Sequence, residues 1–236
     1  MAHPANLQLA LNVSLQDGLT FDNFFACPES EAILAALAEL QCTDDFQSIG
    51  IWGASGSGRS HLLQAAVQKA ETNGCSAIFL PGSELVAMDP AGLLQGLAEF
   101  DVVVIDDIDH LLNNASWELA LFEFYNRLHD NGNILVFSCA APVAELTIQL
   151  ADLASRLAWG TLYHLPKLND QQKLAALQLR AHSRGMLMSD EVAKFIMSRS
   201  SRDFAQLIDV LDQLDKASIK AQRKLSVPFV KTICHW

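Results

Sequence analysis

The chain has 236 residues, half of them apolar, and carries 27 acidic side chains against 16 basic ones for a net charge of −11. That length can bury one good core plus a small second unit. Its longest apolar runs, such as VVVI at 102–105, fall far short of the roughly 18 residues a membrane span needs, and Met1 is not followed by a basic stretch and hydrophobic segment, so neither membrane insertion nor secretion is expected.

The charge is unevenly spread. Residues 1–166 hold four basic residues (Arg59, Lys69, Arg127, Arg156) and 20 acidic ones, net −16, whereas residues 167–236 hold 12 basic and seven acidic, net +5. The acidic part repels polyanions, and the basic part supports at most weak phosphate contacts, so little direct DNA binding is expected. The five cysteines (Cys27, Cys42, Cys75, Cys139, Cys234) are odd in number, widely spaced and without a CxxC pair. Neither a disulfide framework nor a zinc site is expected, and the cytoplasm is the natural compartment. The N-x-S triplets at Asn12 and Asn114 then read as chance matches.

Residues 1–19, with Pro4 and Gly18 and no sustained period, read as a mobile tail. Pro28 followed by an Ala- and Leu-rich run with Glu29 and Glu31 in its first turn predicts a helix to about Leu40. Strand SIGIW, helix SHLLQAAVQKAETNG, strand SAIFLP and a weaker helix DPAGLLQGLAEF follow. Then come strand DVVVIDD, helix SWELALFEFYNRLHDNG, strand NILVFSCAA and the short strand TLYHLP. Strands apolar on both faces, alternating with helices, predict a parallel sheet covered on both sides, an α/β core over residues 20–166. From 167 to 236 the pattern is helical only. NDQQKLAALQLRAHSRG, SDEVAKFIMSRS, SRDFAQLIDVLDQLDKASIKAQ and SVPFVKTIC predict a small all-helical domain.

GASGSGRS, residues 53–60, fits the phosphate-binding pattern GxxxxGK[ST] except that Arg59 stands at the lysine position, and it lies between a strand and a helix as that pattern requires. Gly53, Gly56 and Gly58 let backbone N–H groups of the loop, including those of Ala54, Ser55 and Ser57, curl toward phosphate oxygens, while the following helix aims its positive end at them. Ser60 is the candidate Mg²⁺ ligand, with His61 beside it. About 50 residues on, VVVIDD delivers Asp106 and Asp107 at a strand end, one carboxylate near a metal and the next able to position a water. Ser138 closes the next strand, where a polar side chain can sense the γ-phosphate region or simply end a strand.

Arg156, in DLASRLAWG, is far in sequence from the glycine loop; it can act in trans on a neighbour's nucleotide or pair locally with Asp152 four residues earlier. Arg202, in SRDFAQLI, opens a helix of the small domain and could reach phosphates from there.

Taken in order, TFDNFFACPES, GASGSGRSHLLQA, VVVIDDIDHL, FYNRLHDNG, DLASRLAWG and SRDFAQLIDVLDQLDKAS resemble the AAA+ core of the bacterial replication initiator DnaA, from about Thr20 to the C-terminus. The chain ends at CHW without a helix-turn-helix region. That points to the short DnaA relatives of the Hda type, to which DLASRLAWG, LQLRA and DQLDKASIKAQRKLSVPFVK are similar.

The resemblance implies an AAA+ P-loop core with a helical lid, and a regulator that inactivates DnaA by stimulating hydrolysis of its bound ATP. It assigns Phe21 to the segment beside the adenine, Arg156 to the arginine finger and Arg202 to the second sensor. It also gives the tail a role, because QLALNV resembles the peptide that such proteins dock in the DNA polymerase sliding clamp, with Gln8 as polar anchor and Leu9, Leu11 and Val13 as apolar ones. The partners implied are DnaA, the clamp and a nucleotide, with room for a homodimer or higher oligomer. Since an arginine fork cannot sit between β- and γ-phosphates as a lysine does, ADP or another nucleoside diphosphate, with Mg²⁺, fits Arg59 better than turnover of a triphosphate. The competing readings are a self-sufficient AAA+ ATPase, such as a helicase-loading or primosomal factor, and a nucleotide-binding structural subunit.

Overall fold

In the computed structural model the described residues are 18–42, 45–201, 203–221 and 223–236. They form two units, one made of residues up to Phe21 and Glu29–Pro166, the other of Asp22–Pro28 and Lys167–Trp236.

The first unit is built on five parallel strands: β1 (Gln47–Trp52), β2 (Ala77–Pro81), β3 (Val102–Asp106), β4 (Ile134–Cys139) and β5 (Thr161–His164), in the order β2-β3-β4-β1-β5. Every residue of β3 and β4 is buried, as expected for strands covered on both faces. The covering helices are α1 (Glu31–Ala38), α2 (Arg59–Thr72), the single turns α3 (Gly82–Leu85) and α4 (Pro90–Leu94), α5 (Ala115–Asn131) and α6 (Ala151–Trp159). Asn114 caps α5 by accepting from the amides of Ser116 and Trp117, and Gly132 ends that helix at a φ of 74°.

Three local expectations change. The helix from Pro28 opens as a 3₁₀ turn, Pro28–Ser30, before α1. DPAGLLQGLAEF breaks at Gly96 into α4 and a 3₁₀ turn at Leu97–Glu99, in keeping with the poor helix propensity of glycine. Contrary to the sequence reading of the cysteines, Cys42 and Cys75 are joined in a disulfide, their Cα atoms 5.8 Å apart; it ties the chain after α1 to the chain after α2, two ends that only the packing of those helices brings together.

The second unit packs α7 (Asp170–Ser183), α8 (Asp190–Arg199), α9 (Phe204–Ala221) and α10 (Val227–Cys234) around Leu177, Ile196, Leu207, Leu211, Leu214 and Val230, all fully buried. Helix starts are fixed chemically: Asn169 and Gln172 form a reciprocal capping box on α7, and Ser189 and Ser226 cap α8 and α10.

Candidate functional site

The ladder registers set the site. Ile51 lies opposite Ser138, and Pro81 opposite Asp106, so the carboxyl ends of β1, β3 and β4 bring the glycine loop, Asp106 and Ser138 to one end of the sheet. The loop leaves β1 with the Gly53 amide donating to Cys139 (3.2 Å) and that of Ser57 donating to Ala54 (3.1 Å). Gly56 and Gly58 take φ of 77° and 102°, where a side chain is strained. Gly53 is required for another reason: a Cβ there would collide with the Leu165 carbonyl. α2 then starts at Arg59 with no side-chain cap, and its positive end faces the loop. Ala54 and Ser55 are exposed on the loop, while Ser57 is buried with its hydroxyl unpartnered.

Behind the loop lies a short chain of hydrogen bonds. The buried Ser138 hydroxyl donates to Asp106 Oδ1 (2.6 Å) and accepts from the Asp107 amide (2.7 Å). Burial pushes the Asp106 carboxyl above its ordinary range, and the Ser138 hydroxyl bonded to it, followed by the Ser60 hydroxyl, pulls it back. Arg59 Nη2 donates to Asp107 Oδ1 at 2.5 Å. The remaining Arg59 nitrogens, Nε and Nη1, are buried without a hydrogen-bond partner. His61 donates from Nε2 to the Thr20 carbonyl (2.9 Å), which anchors the residue before Phe21 to α2, and Phe21 itself is half-buried.

Gly82, opening α3, was not legible as a site residue. It packs directly on the carbonyls of Asp106 and Asp107, leaving no room for a Cβ, and only the β2–β3 pairing places it there.

These residues fit a phosphate group: an uncapped helix start, a glycine curl, and orphaned buried donors on Arg59 and Ser57. Among the described residues no cluster of three His, Cys, Asp or Glu side chains could hold a metal, so Ser60 and Asp106 would complete a Mg²⁺ site only with oxygens from the nucleotide.

Arg156 lies elsewhere. It sits near the end of α6, which leads into the start of β5, at the opposite end of the sheet from the loop. Its guanidinium packs 5.9 Å from the ring centres of both Tyr125 and Trp159, and it lines a surface hollow with Phe122, Asp152, Ser155 and Trp159. Among the described residues no carboxylate forms an ion pair with it, Asp152 included. Arg202, Gln8, Leu9, Leu11 and Val13 lie outside the described residues.

Comparison with known proteins gives the same lineage from both halves. The family described as "Hda, lid domain" matches residues 170–234, and "Bacterial DnaA ATPAse domain" matches residues 83–164. An uncharacterised protein of Haemophilus influenzae is 39% identical over 230 residues, 97% of this chain and 98% of its own. Among solved structures, domain III of the Thermotoga maritima replication initiation protein DnaA superposes with a TM-score of 0.78 at 19% identity, covering 94% of this chain and 98% of that one. AMPPCP-bound DnaA from Aquifex aeolicus follows at 0.71 and 18%, covering 87% and 67%. No helix among the described residues is long and apolar enough to cross a membrane. The chain is an Hda-like member of the DnaA-related AAA+ family.

Proposed function

We propose that this chain is a regulator of replication initiation that holds a nucleoside diphosphate, ADP in the simplest case, and stimulates hydrolysis of ATP on DnaA. In this reading the loop from Gly53 to His61 binds the phosphates, Ser60 and Asp106 hold Mg²⁺, and Phe21 borders the base. Bound Mg²⁺ would offset phosphate charge. Gln8, Leu9, Leu11 and Val13 dock in the DNA polymerase sliding clamp, which concentrates the regulator on DNA and stops DnaA from firing again.

The observation that carries the proposal is the setting of Arg156. It is held by two aromatic faces rather than by a carboxylate, at the end of the sheet away from its own glycine loop. A guanidinium so placed serves a neighbour's nucleotide better than its own, a contribution worth roughly 10³ to 10⁵ in rate where an arginine finger acts. The binding of AMPPCP by the Aquifex DnaA supports nucleotide binding on this fold.

The test is DnaA ATP hydrolysis with clamp loaded on DNA. Wild-type chain should accelerate it, and Arg156→Ala should abolish the acceleration while keeping ADP and clamp binding. Equal stimulation by Arg156→Ala would defeat the mechanism. The same assay without DnaA addresses the rival reading, since appreciable turnover by the chain alone, lost in Asp106→Asn, would make it a self-sufficient ATPase.

A further inference from the structure

The pair Arg59 and Asp107 joins the residue at the motif's lysine position to the residue that would position an attacking water, 48 residues further on. Arg59 is not a loose surface side chain. Its side chain is 9% exposed, one terminal nitrogen is committed to Asp107, and Nε and Nη1 have no other partner. The Asp107 side chain is more open, 34% exposed, but its main chain is held. Its backbone adopts the left-handed conformation (φ 50°, ψ 58°), its amide is held by Ser138, and Gly82 presses on its carbonyl.

The bridge therefore links the start of α2 to the chain just past the end of β3, where the Asp107 main chain is pinned by Ser138 and Gly82. A lysine on a flexible stem would reach the outermost phosphate as a free point charge; an arginine already bonded to a carboxylate brings a pair with no net charge. A diphosphate needs only the loop amides, the start of α2 and the two free Arg59 nitrogens. A third phosphate would need Arg59 to leave Asp107, stranding that carboxylate beside it.

We infer that the Arg59–Asp107 ion pair is what makes the loop select nucleoside diphosphates over triphosphates: Arg59 serves Asp107 or a third phosphate, never both. The inference rests on the nucleotide-binding reading above and assigns selectivity within it to a second residue, Asp107.

The experiment is calorimetric titration with ADP and with AMPPCP, for wild type, Arg59→Ala, Asp107→Asn and the double variant. Asp107→Asn should raise AMPPCP affinity at least tenfold while ADP affinity stays within threefold. In that background, removing Arg59 should cost AMPPCP at least ten times more than ADP; in the wild-type background it should cost both ligands alike, within threefold. Additive effects of the two substitutions on the ADP-to-AMPPCP ratio would overturn the inference, because additivity means that Arg59 does not choose between partners. Asp109→Asn controls for a general loss of negative charge, and a matching gain in AMPPCP affinity there would equally overturn it. For Asp107→Asn and Asp109→Asn, retained ADP affinity reports that the loop is folded; for the Arg59 variants, an unchanged thermal unfolding midpoint does. If wild-type chain bound neither ligand, the nucleotide reading itself would fall, a result distinct from ADP binding with an unaltered ratio.

Discussion

Asn23 and Arg180, 157 residues apart in the chain, share a buried hydrogen bond of 2.6 Å from Arg180 Nη1 to Asn23 Oδ1. It explains why Asp22–Pro28 belongs to the helical unit although Glu29 onward belongs to the sheet unit. Burial lowers the pKa of Arg180, and repulsion from Arg184 adds to this, offset by Asp212. Asn23 thus solvates a cation that has given up much of its water.

Asn23→Ala should therefore destabilise the protein by about 1.5–3 kcal/mol, the range for hydrogen bonds to charged groups. Denaturant unfolding is the measurement, with a lower midpoint at unchanged slope as the expected outcome. A change under about 0.5 kcal/mol, typical of surface substitutions, would show that water replaces Asn23 without cost.

Ser138→Ala bears on the site from the inside. The hydroxyl is fully buried and serves Asp106 and the Asp107 amide at once, so its loss strands a carboxylate oxygen and an N–H together. A cost of about 1–3 kcal/mol is expected. Ser138→Cys, similar in volume but a poor hydrogen-bond donor, should recover little of it. Full recovery in Ser138→Cys would mean that packing, not hydrogen bonding, is what the serine supplies.

The sequence made the sheet legible because VVVI and ILVF are apolar on both faces and glycine-rich or capped turns separate them. It made the glycine loop, Asp106 and Ser138 legible because all three sit at strand ends, and strand ends converge in a parallel sheet. It could not reveal the Arg59–Asp107 bridge, the close packing of Gly82 on Asp107 or the bond from Asn23 to Arg180. Each depends on partners separated by tens of residues and carries no local periodicity. The setting of Arg156 was open for a related reason: Asp152 stands one helical turn away, yet Tyr125 on a neighbouring helix takes its place.

The Cys42–Cys75 disulfide closes 33 residues of sequence containing β1, the glycine loop and α2. By loop-closure entropy such a link is worth about 3–4 kcal/mol. Reduction, or Cys42→Ser, should lower stability by that order, and reductant should have no further effect on Cys42→Ser. Peptide mapping after alkylation without reductant provides the direct check: linked Cys42 and Cys75 peptides are expected, and alkylation of both thiols would refute the bond.

Cys139 behaves oppositely. Burial pushes its thiol pKa up to about 12, with Asp109 and Asp107 adding to the rise and Arg59 working against it. At pH 8 that leaves about one thiolate in ten thousand, so alkylation of the folded protein at Cys139 should be slower by about a thousandfold than at an unperturbed thiol. The sign for stability follows from which state binds the proton more tightly. The folded state does, so the thiol's contribution is intact below the ordinary thiol pKa near 9 and is lost as pH climbs from there toward 12. Unfolding free energy followed from pH 8 to 11 should therefore fall more steeply in wild type than in Cys139→Ala. Parallel curves for the two proteins would show that Cys139 titrates alike in the folded and unfolded chains.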